Sequence, residues 1–450
     1  MPQTHFIQDN PDLQTALNLL DKWITRQLHI LHQPGVAVGI VHQGELLWGK
    51  GYGLANVADD TPVTLDTRFR IASISKTFTA TAILQLRDMG KLRLDDPVSD
   101  YLDWFKLRYP DAPPITIYHL LTHTSGLPRD ASIPHWTENK FQSWDDLVAT
   151  TKNRRPTMPP LEDFSYSNLG YSLLGGIIEA VSGETWEDYI QRRILDVLDM
   201  RHTIVKPEGN EADLATGYLR MDDGYQRATA PFAATNGFSP SASLASNIHD
   251  LVKYAKFHLS KGQTPLLSAY SLRDMHRPHW LYEGWNGGYG LGISTFLMND
   301  WQLSGHSGGY KGYLTQFALC RKHDFGVIAL TNSIESFPFQ YVQQAYKLVL
   351  PELMKITAKS SKADTAWQQY VGTYHGDWSE VEVVVRDNEL QVLSVAFINE
   401  DPTCLEPTGT PHEFIIREVG NPGETARFEL ADDGSVSRLW MRNEYMLPKQ

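Results

Sequence analysis

Ser73-Ile74-Ser75-Lys76 sets a hydroxyl and an amine one helical turn apart at the start of an apolar helix. Side chains at i and i+3 of a helix are neighbours, with Cβ atoms roughly 5–6 Å apart. An unactivated serine is a poor nucleophile near neutral pH and needs a proton acceptor within hydrogen-bond reach. Lysine fills that role only when burial or a second cation discourages its ammonium, because its reference pKa lies around 10.4. A serine in a first helical turn also sits where free backbone N–H groups favour an oxyanion. The pair can make and break an acyl-enzyme, although the same four letters alone also describe an ordinary solvated helix start.

Such a hydrolase needs a second proton-transfer group and donors for the oxyanion. Tyr166-Ser167-Asn168 supplies a phenol and an amide just before an apolar helix, where a tight turn aims both into a cleft or simply caps the helix. Gly305-His306-Ser307-Gly308-Gly309 lies between strands, and its glycines let a ligand approach the backbone. It also spells Gly-x-Ser-x-Gly, the nucleophile elbow that would make Ser307 the attacking group. That motif requires a strand, a sharp turn and then a helix, whereas Tyr310 to Leu330 reads as a strand pair. His119 and His123 stand four apart, as on a zinc helix, but the sequence shows no acid between them and no third ligand, so capping or packing is expected. No metal and no cofactor are called for.

The elements that position these residues follow from spacing. Leu13, Leu17, Leu20, Trp23, Ile24 and Leu28 mark a helix that Pro34 ends. Residues 35–41 and 45–49 read as two strands around a turn at His42-Gln43-Gly44. Ser73 to Gly90 is a long helical stretch, with further helices near Tyr118–Thr122, Tyr171–Ser182, Trp186–Leu198 and Phe339–Leu350. Strand character returns at Gly290–Leu297, Gly312–Cys320 and Phe325–Thr331. The early hairpin and these late strands are expected to share one antiparallel sheet, interrupted by a helical insertion over about residues 70–240. Lys355–Asp364 suits a linker. Beyond it, short strands at Val381–Val385, Leu390–Val395, Glu413–Glu418, Ala426–Leu430 and Val436–Trp440, spaced by turns such as Arg386-Asp387-Asn388, make a small all-β domain over 365–450.

The 450 residues exceed one comfortable core, which also argues for two domains. With 42% hydrophobic and 21% charged residues the chain is an ordinary globular one, and no apolar run reaches the 18 or so residues of a membrane span. A net charge of −13 without any basic run gives nothing to neutralise a string of phosphates, so nucleic acid is not an expected partner. Cys320 and Cys404 lie in separate expected strands and read as buried free thiols. Met1 to Asp12 lacks the basic, apolar and small-residue regions of a secretory signal, and a cytoplasmic address is expected.

Taken together the motifs resemble the serine β-lactamase and penicillin-binding-protein-like hydrolases. The branch is similar to class C β-lactamases, D-stereospecific peptidases and β-lactamase-type carboxylesterases. Residues 71–78, 92–98, 115–127, 164–171 and 305–309 carry the likeness, in the family's order, so that it covers roughly residues 15 to 350. It implies an α+β hydrolase domain over 1–354, an antiparallel sheet flanked by helices with an all-helical subdomain. Trp367, Tyr370-Val371-Gly372-Thr373-Tyr374 and the strands after them resemble the lipocalin-like barrel module of some relatives, which covers the cleft, builds an oligomer or is purely structural.

Carried over by position, the resemblance makes Ser73 the acylated nucleophile, Lys76 its proton acceptor or electrostatic activator, and Tyr166 the proton shuttle to the leaving group. Asn168 holds the substrate carbonyl region and the lysine. His306-Ser307-Gly308 is the third motif, and the N–H of Gly309 joins that of Ser73 as the oxyanion hole. Whether Lys76 or Tyr166 is the base stays open, since either needs a depressed pKa. Two departures bear on substrate. True β-lactamases of this type carry lysine where this chain has His306, and neutral histidine weakens the pull on a lactam carboxylate. Pro240 to Ser246 replaces a glycine pair and is expected to alter a loop near the cleft. The aromatic segment His279 to Trp285 lines an acyl pocket or packs the core. The expected activity is hydrolysis of small carboxylic esters through acyl-Ser73. A D-stereospecific peptidase or amidase, a weak β-lactamase, and a non-catalytic binding or scaffolding relative are the alternatives. Expected partners are a small ester, amide or lactam and, for some relatives, further copies of the chain.

Overall fold

The computed structural model describes residues 10–131, 133–222, 226–262, 264–298, 300–360, 365–377, 379–386, 389–394, 402–417, 423–442 and 444–449. The polar segment 1–9, linker residues 361–364, turn residues Asp387 and Asn388, and the expected strand ends Val395 and Glu418 lie outside the described residues. The chain divides after Leu350 into two compact units.

The first unit opens with α1 (Pro11–Ile30), capped by the Asn10 side chain, which accepts from the N–H groups of Asp12 and Leu13. Its buried face is Leu13, Ala16, Leu17, Leu20 and Ile24, as the spacing predicts. β1 (Gly35–His42) and β2 (Glu45–Asn56) form the predicted hairpin, followed by the short β3 (Thr61–Pro62). The chain then leaves the sheet. The helices that matter to the site are α2 (Ser75–Asp88), α3 (Ile117–Leu121), α4 (Asn168–Ser182), α5 (Ile248–Leu259) and α6 (Ala269–His276). It returns through β4 (Trp280–Leu281), β5 (Gly287–Tyr289), β6 (Ser294–Met298), β7 (Trp301–Tyr310), β8 (Tyr313–Cys320) and β9 (Phe325–Thr331), and closes with α7 (Pro338–Leu348).

These nine strands form one antiparallel sheet in the order β3-β2-β1-β9-β8-β7-β6-β5-β4. The first hairpin meets the last strand directly, Val36 facing Thr331 and His42 facing Phe325. Every residue of β1 and β9 is buried, because helices cover both faces of the sheet at its centre. α2 is buried from Ser75 through Leu86, apolar or small residues on every side except at Lys76 and Gln85, the mark of a central helix.

Three details differ from the expectations. Gly290–Leu297 is not one strand: Gly292 takes a left-handed φ of 80°, which breaks the run between β5 and β6. The departure from the sheet runs from β3 to β4, well past residue 240, and its last helices α5 and α6 follow the helical subdomain. Residues expected to be a linker begin inside α8 (Leu350–Ser360), where Leu350 and Leu353 are buried and helix-forming residues continue the turn.

The second unit carries a closed eight-stranded barrel: β10 (Gly372–His375), β11 (Glu380–Arg386), β12 (Glu389–Ser394), β13 (Thr403–Pro407), β14 (Glu413–Arg417), β15 (Thr425–Leu430), β16 (Val436–Met441) and β17 (Glu444–Pro448), joined in that order with β10 beside β17. Its interior alternates with solvent, Val381, Val383, Leu390, Val392, Phe414, Ile416, Ala426 and Phe428 facing inward. Closure leaves no free edge. Neither cysteine is in a disulfide among the described residues and both lie in strands, but Cys404 is only half-buried, because β13 places it away from the barrel interior that Leu405 occupies.

Candidate active site

Ser73 does not sit in the α-helix itself. It occupies a 3₁₀ turn, Ala72–Ile74, immediately before α2. The preceding Ala72 has φ 47°, a left-handed conformation that costs a non-glycine residue on the order of 1 kcal/mol or more and persists only where surroundings impose it. The surroundings are β7 and β8. Thr315 Oγ1 donates to the carbonyl of Ile71 at 3.2 Å, and a Cβ on Gly308 would stand 2.2 Å from that same oxygen. Glycine at 308 therefore lets the edge of β7 lie against the turn that carries Ser73. Pairing with β6 ends at Gly305, so residues 306–310 run on as an edge beside Ser73.

Lys76 is wholly buried on the first turn of α2. Its Nζ lies 2.8 Å from Asn168 Oδ1, 2.9 Å from the carbonyl oxygen of Ser241 and 3.2 Å from Ser73 Oγ. The first two are acceptors only and take two N–H groups. In a neutral amine the lone pair is what remains, and it faces Ser73. Burial is the main force holding the Lys76 pKa well below its ordinary value, with the Arg129 charge adding to it and Asp130 opposing it.

Asn168 opens α4, whose N-cap is Ser167, the Oγ accepting from Gly170 N–H at 2.9 Å. The amide Nδ2 donates to Asp130 Oδ1 at 2.8 Å. Burial raises the Asp130 pKa, but hydrogen bonds from His135, Asn168 and Trp136 bring it below the usual carboxylate value. Tyr166 lies just ahead of this cap. His123 anchors its loop by accepting the Ser167 N–H at 3.0 Å, and the His123 and Tyr166 rings lie tilted by 37° with centroids 4.2 Å apart. Lys76 Nζ is 4.9 Å from the Tyr166 ring centroid, and the Arg129 guanidinium lies over the same ring at 5.2 Å. Burial pushes the Tyr166 hydroxyl up, against the opposing effects of a hydrogen bond with Ser73 and the charge of Arg129. His119, the other half of the zinc-like spacing, caps α3 by accepting the Thr116 N–H at 3.1 Å.

His306 lies buried on β7. Nδ1 is 2.6 Å from the Ser307 carbonyl, an acceptor, and Nε2 is 3.0 Å from the Tyr289 hydroxyl. One ring proton on Nδ1 and one lone pair on Nε2 satisfy both contacts. Burial, and next the Lys76 charge, lower its pKa to about 3, so the ring is neutral at physiological pH. Ser307 is an exposed strand residue opposite Gln316, and β8 rather than a helix follows Gly309, so the elbow geometry is absent here.

Ser73, Tyr166, His306, Gly308 and Gly309 line one cleft of about 750 Å³. Phe164, Tyr282, Tyr289, Phe337 and Phe339 wall it, and among its lining residues Arg129 carries the only formal charge. Of the aromatic segment His279 to Trp285, Tyr282 reaches the cleft, while Trp285 is 79% exposed and His279 Nε2 sits 3.0 Å from the Asp274 carbonyl. Pro240 to Ser246 is not an open loop: it forms a buried one-turn helix, Ser239–Ala242, that brings the Ser241 carbonyl to Lys76. Ser241, Asp130 and Arg129 were not among the expected site residues. Backbone carbonyls carry no sequence signal, and Asp130 acts across 38 residues.

The Beta-lactamase family model matches residues 20–349. Protein flp of Staphylococcus aureus strain N315 is 31% identical over 319 residues, which cover 70% of this chain and 62% of that protein, so the chain spans less than two thirds of that relative. Beta-lactamase-like protein 2 of Dictyostelium discoideum is 28% identical across 92% of this chain and 81% of its own length. Among solved structures, the octameric penicillin-binding protein homologue from Pyrococcus abyssi superposes with a TM-score of 0.68 at 27% identity, over 96% of this chain and 99% of its own. The sheet with its helical excursion and the added barrel have their counterpart there, and by the span of the family match the chain belongs to the Beta-lactamase family of serine hydrolases.

Proposed function

We propose that the protein hydrolyses small carboxylic esters through an acyl-enzyme on Ser73. The observation that carries this reading is the commitment of two Lys76 N–H groups to Asn168 and Ser241, which leaves the amine lone pair 3.2 Å from Ser73 Oγ. Lys76 takes the Ser73 proton as Oγ attacks the carbonyl carbon, and the N–H groups of Ser73 and Gly309 receive the developing oxyanion. Tyr166, whose raised pKa keeps it protonated, donates to the departing alkoxide and is reprotonated through Lys76. Water then attacks the acyl carbon by the reverse route. The opposite pKa directions of Lys76 and Tyr166 favour the lysine as base.

Neutral His306 supports an ester over a lactam, since no cation on β7 draws a carboxylate. A D-peptide or amide substrate is the second reading, favoured by the Arg129 guanidinium at the cleft wall, where a substrate carboxylate has a partner. Self-association is a further proposal, supported by the likeness to an octameric homologue. No described helix is long and apolar enough to cross a membrane. The deciding assay compares short and medium acyl esters, D-amino-acid amides and a lactam with wild type, Ser73→Ala and Ser307→Ala. Ester turnover lost only in Ser73→Ala supports the proposal; turnover lost only in Ser307→Ala overturns the site.

A further inference from the structure

A second cavity, of about 600 Å³, opens at the other end of β7 between the start of that strand, the end of β8 and the C-terminus of α6. Five basic side chains line it, Lys261, Arg273, Arg277, Arg321 and Lys322, against a single lining carboxylate, Asp300. Such a concentration is unexpected in a chain of net charge −13. Two of the five are matched nearby: Lys261 lies 3.4 Å from Asp324 and Arg277 2.9 Å from Asp274. Arg321 donates to the carbonyls of Leu272 and Ser260, at 3.2 and 2.7 Å, which fixes its guanidinium without neutralising it. Arg273 and Lys322 are exposed and have no carboxylate partner among the described residues. Burial lowers the Arg321 pKa, Asp324 opposes that and the like charge of Arg273 adds to it; at His323 burial, then Lys322 and Lys261, lower the pKa against Asp324.

We propose that this cavity binds a small molecule bearing a di- or triphosphate, held by the convergence of Arg273, Arg321 and Lys322 at its rim. Arg273 and Lys322, which lack a carboxylate partner among the described residues, and Arg321, only partly offset by Asp324, together exceed what a monocarboxylate neutralises. Guanidinium forks match phosphate oxygens two at a time, and a concave wall of one sign focuses the field on a bound anion. The floor adds no competing charge, because His276 spends Nε2 on His258 at 2.9 Å and Nδ1 on Ser304 at 2.7 Å. The volume suits a metabolite rather than a polymer.

Titration calorimetry of the full chain with inorganic pyrophosphate at low and moderate salt tests this. One site per chain is expected, weakening with salt. The exposed pair Arg273→Ala and Lys322→Ala together should weaken it at least tenfold, with melting temperature and ester turnover unchanged. Lys91→Ala, at an exposed cation far along the sequence, should leave binding as in wild type. Absence of heat at millimolar pyrophosphate, undiminished binding in the double variant, or equal loss in Lys91→Ala would overturn the assignment.

Discussion

Asp130 decides which end of the Asn168 amide faces Lys76. A carboxylate accepts and does not donate, so the 2.8 Å contact with Asp130 Oδ1 must come from Nδ2, and Oδ1 is left pointing at the lysine. Lys76, the base in the proposed mechanism, is thus oriented by Asp130 through Asn168.

Replacing that carboxylate tests the chain of contacts. Asp130→Asn offers the amide a donor as well as an acceptor and removes the constraint on its flip. Turnover of an acyl ester is expected to fall by about 10- to 100-fold, the range for loss of an orienting partner. A double variant with Asn168→Ala should be little worse than Asn168→Ala alone.

The pH dependence follows from the buried lysine. Its folded pKa is lowered, so kcat/KM is expected to rise with pH as Lys76 loses its proton, and no falling limb should follow below about 10 because Tyr166 is shifted upward from a reference near 10. Between the lowered folded value and about 10.5 the unfolded chain holds a proton that the folded chain does not, so stability gains with pH in that window. Melting of wild type relative to Lys76→Met, followed from pH 7 to 9.5, should show wild type gaining; a flat difference counts against a neutral buried amine.

Gly308→Ala places a methyl 2.2 Å from both the Ile71 carbonyl and Thr315 Oγ1. β7 must move away from the nucleophile turn, and with it the N–H of Gly309. Ester turnover should drop by at least about 100-fold, the scale seen on losing one oxyanion donor, while the melting temperature shifts by only a few degrees. Steady-state kinetics beside calorimetry separate the two effects.

His306→Lys puts a permanent cation on the strand. The ratio of lactam to neutral-ester turnover is expected to increase about tenfold, a difference of about 1.4 kcal/mol in favour of the charged substrate. An unchanged ratio in parallel kcat/KM measurements shows that the charge at 306 does not set the preference.

Much of this was written in periodicity. The α1 stripe, the strand at β9 and the order of the three motifs were all legible in the sequence. The 3₁₀ turn at Ser73 was not, because what imposes it is the Ile71 carbonyl meeting Gly308 and Thr315, both more than two hundred residues later. Nor was the Ser241 carbonyl, since any residue can offer one. β13 was legible only as a strand segment around Cys404, without bounds, because Thr403-Cys404-Leu405-Glu406-Pro407 has one inward apolar residue, too few for an alternation. α8 was obscured by its charge, though Leu350 and Leu353 had buried positions to fill.

The pairing of β1 with β9 has a consequence for biosynthesis. At typical elongation rates of about 5–20 residues per second, the strand at Val36 waits on the order of half a minute for its neighbour at Thr331 to leave the ribosome. Throughout that interval β1, every residue of which is buried in the finished sheet, lacks the neighbour on one side and exposes an edge open to other chains. The nucleophile is made early, yet its edge strand, with Gly308, emerges late. On the mechanism proposed above, ester turnover has to wait until residue 309 has emerged and paired.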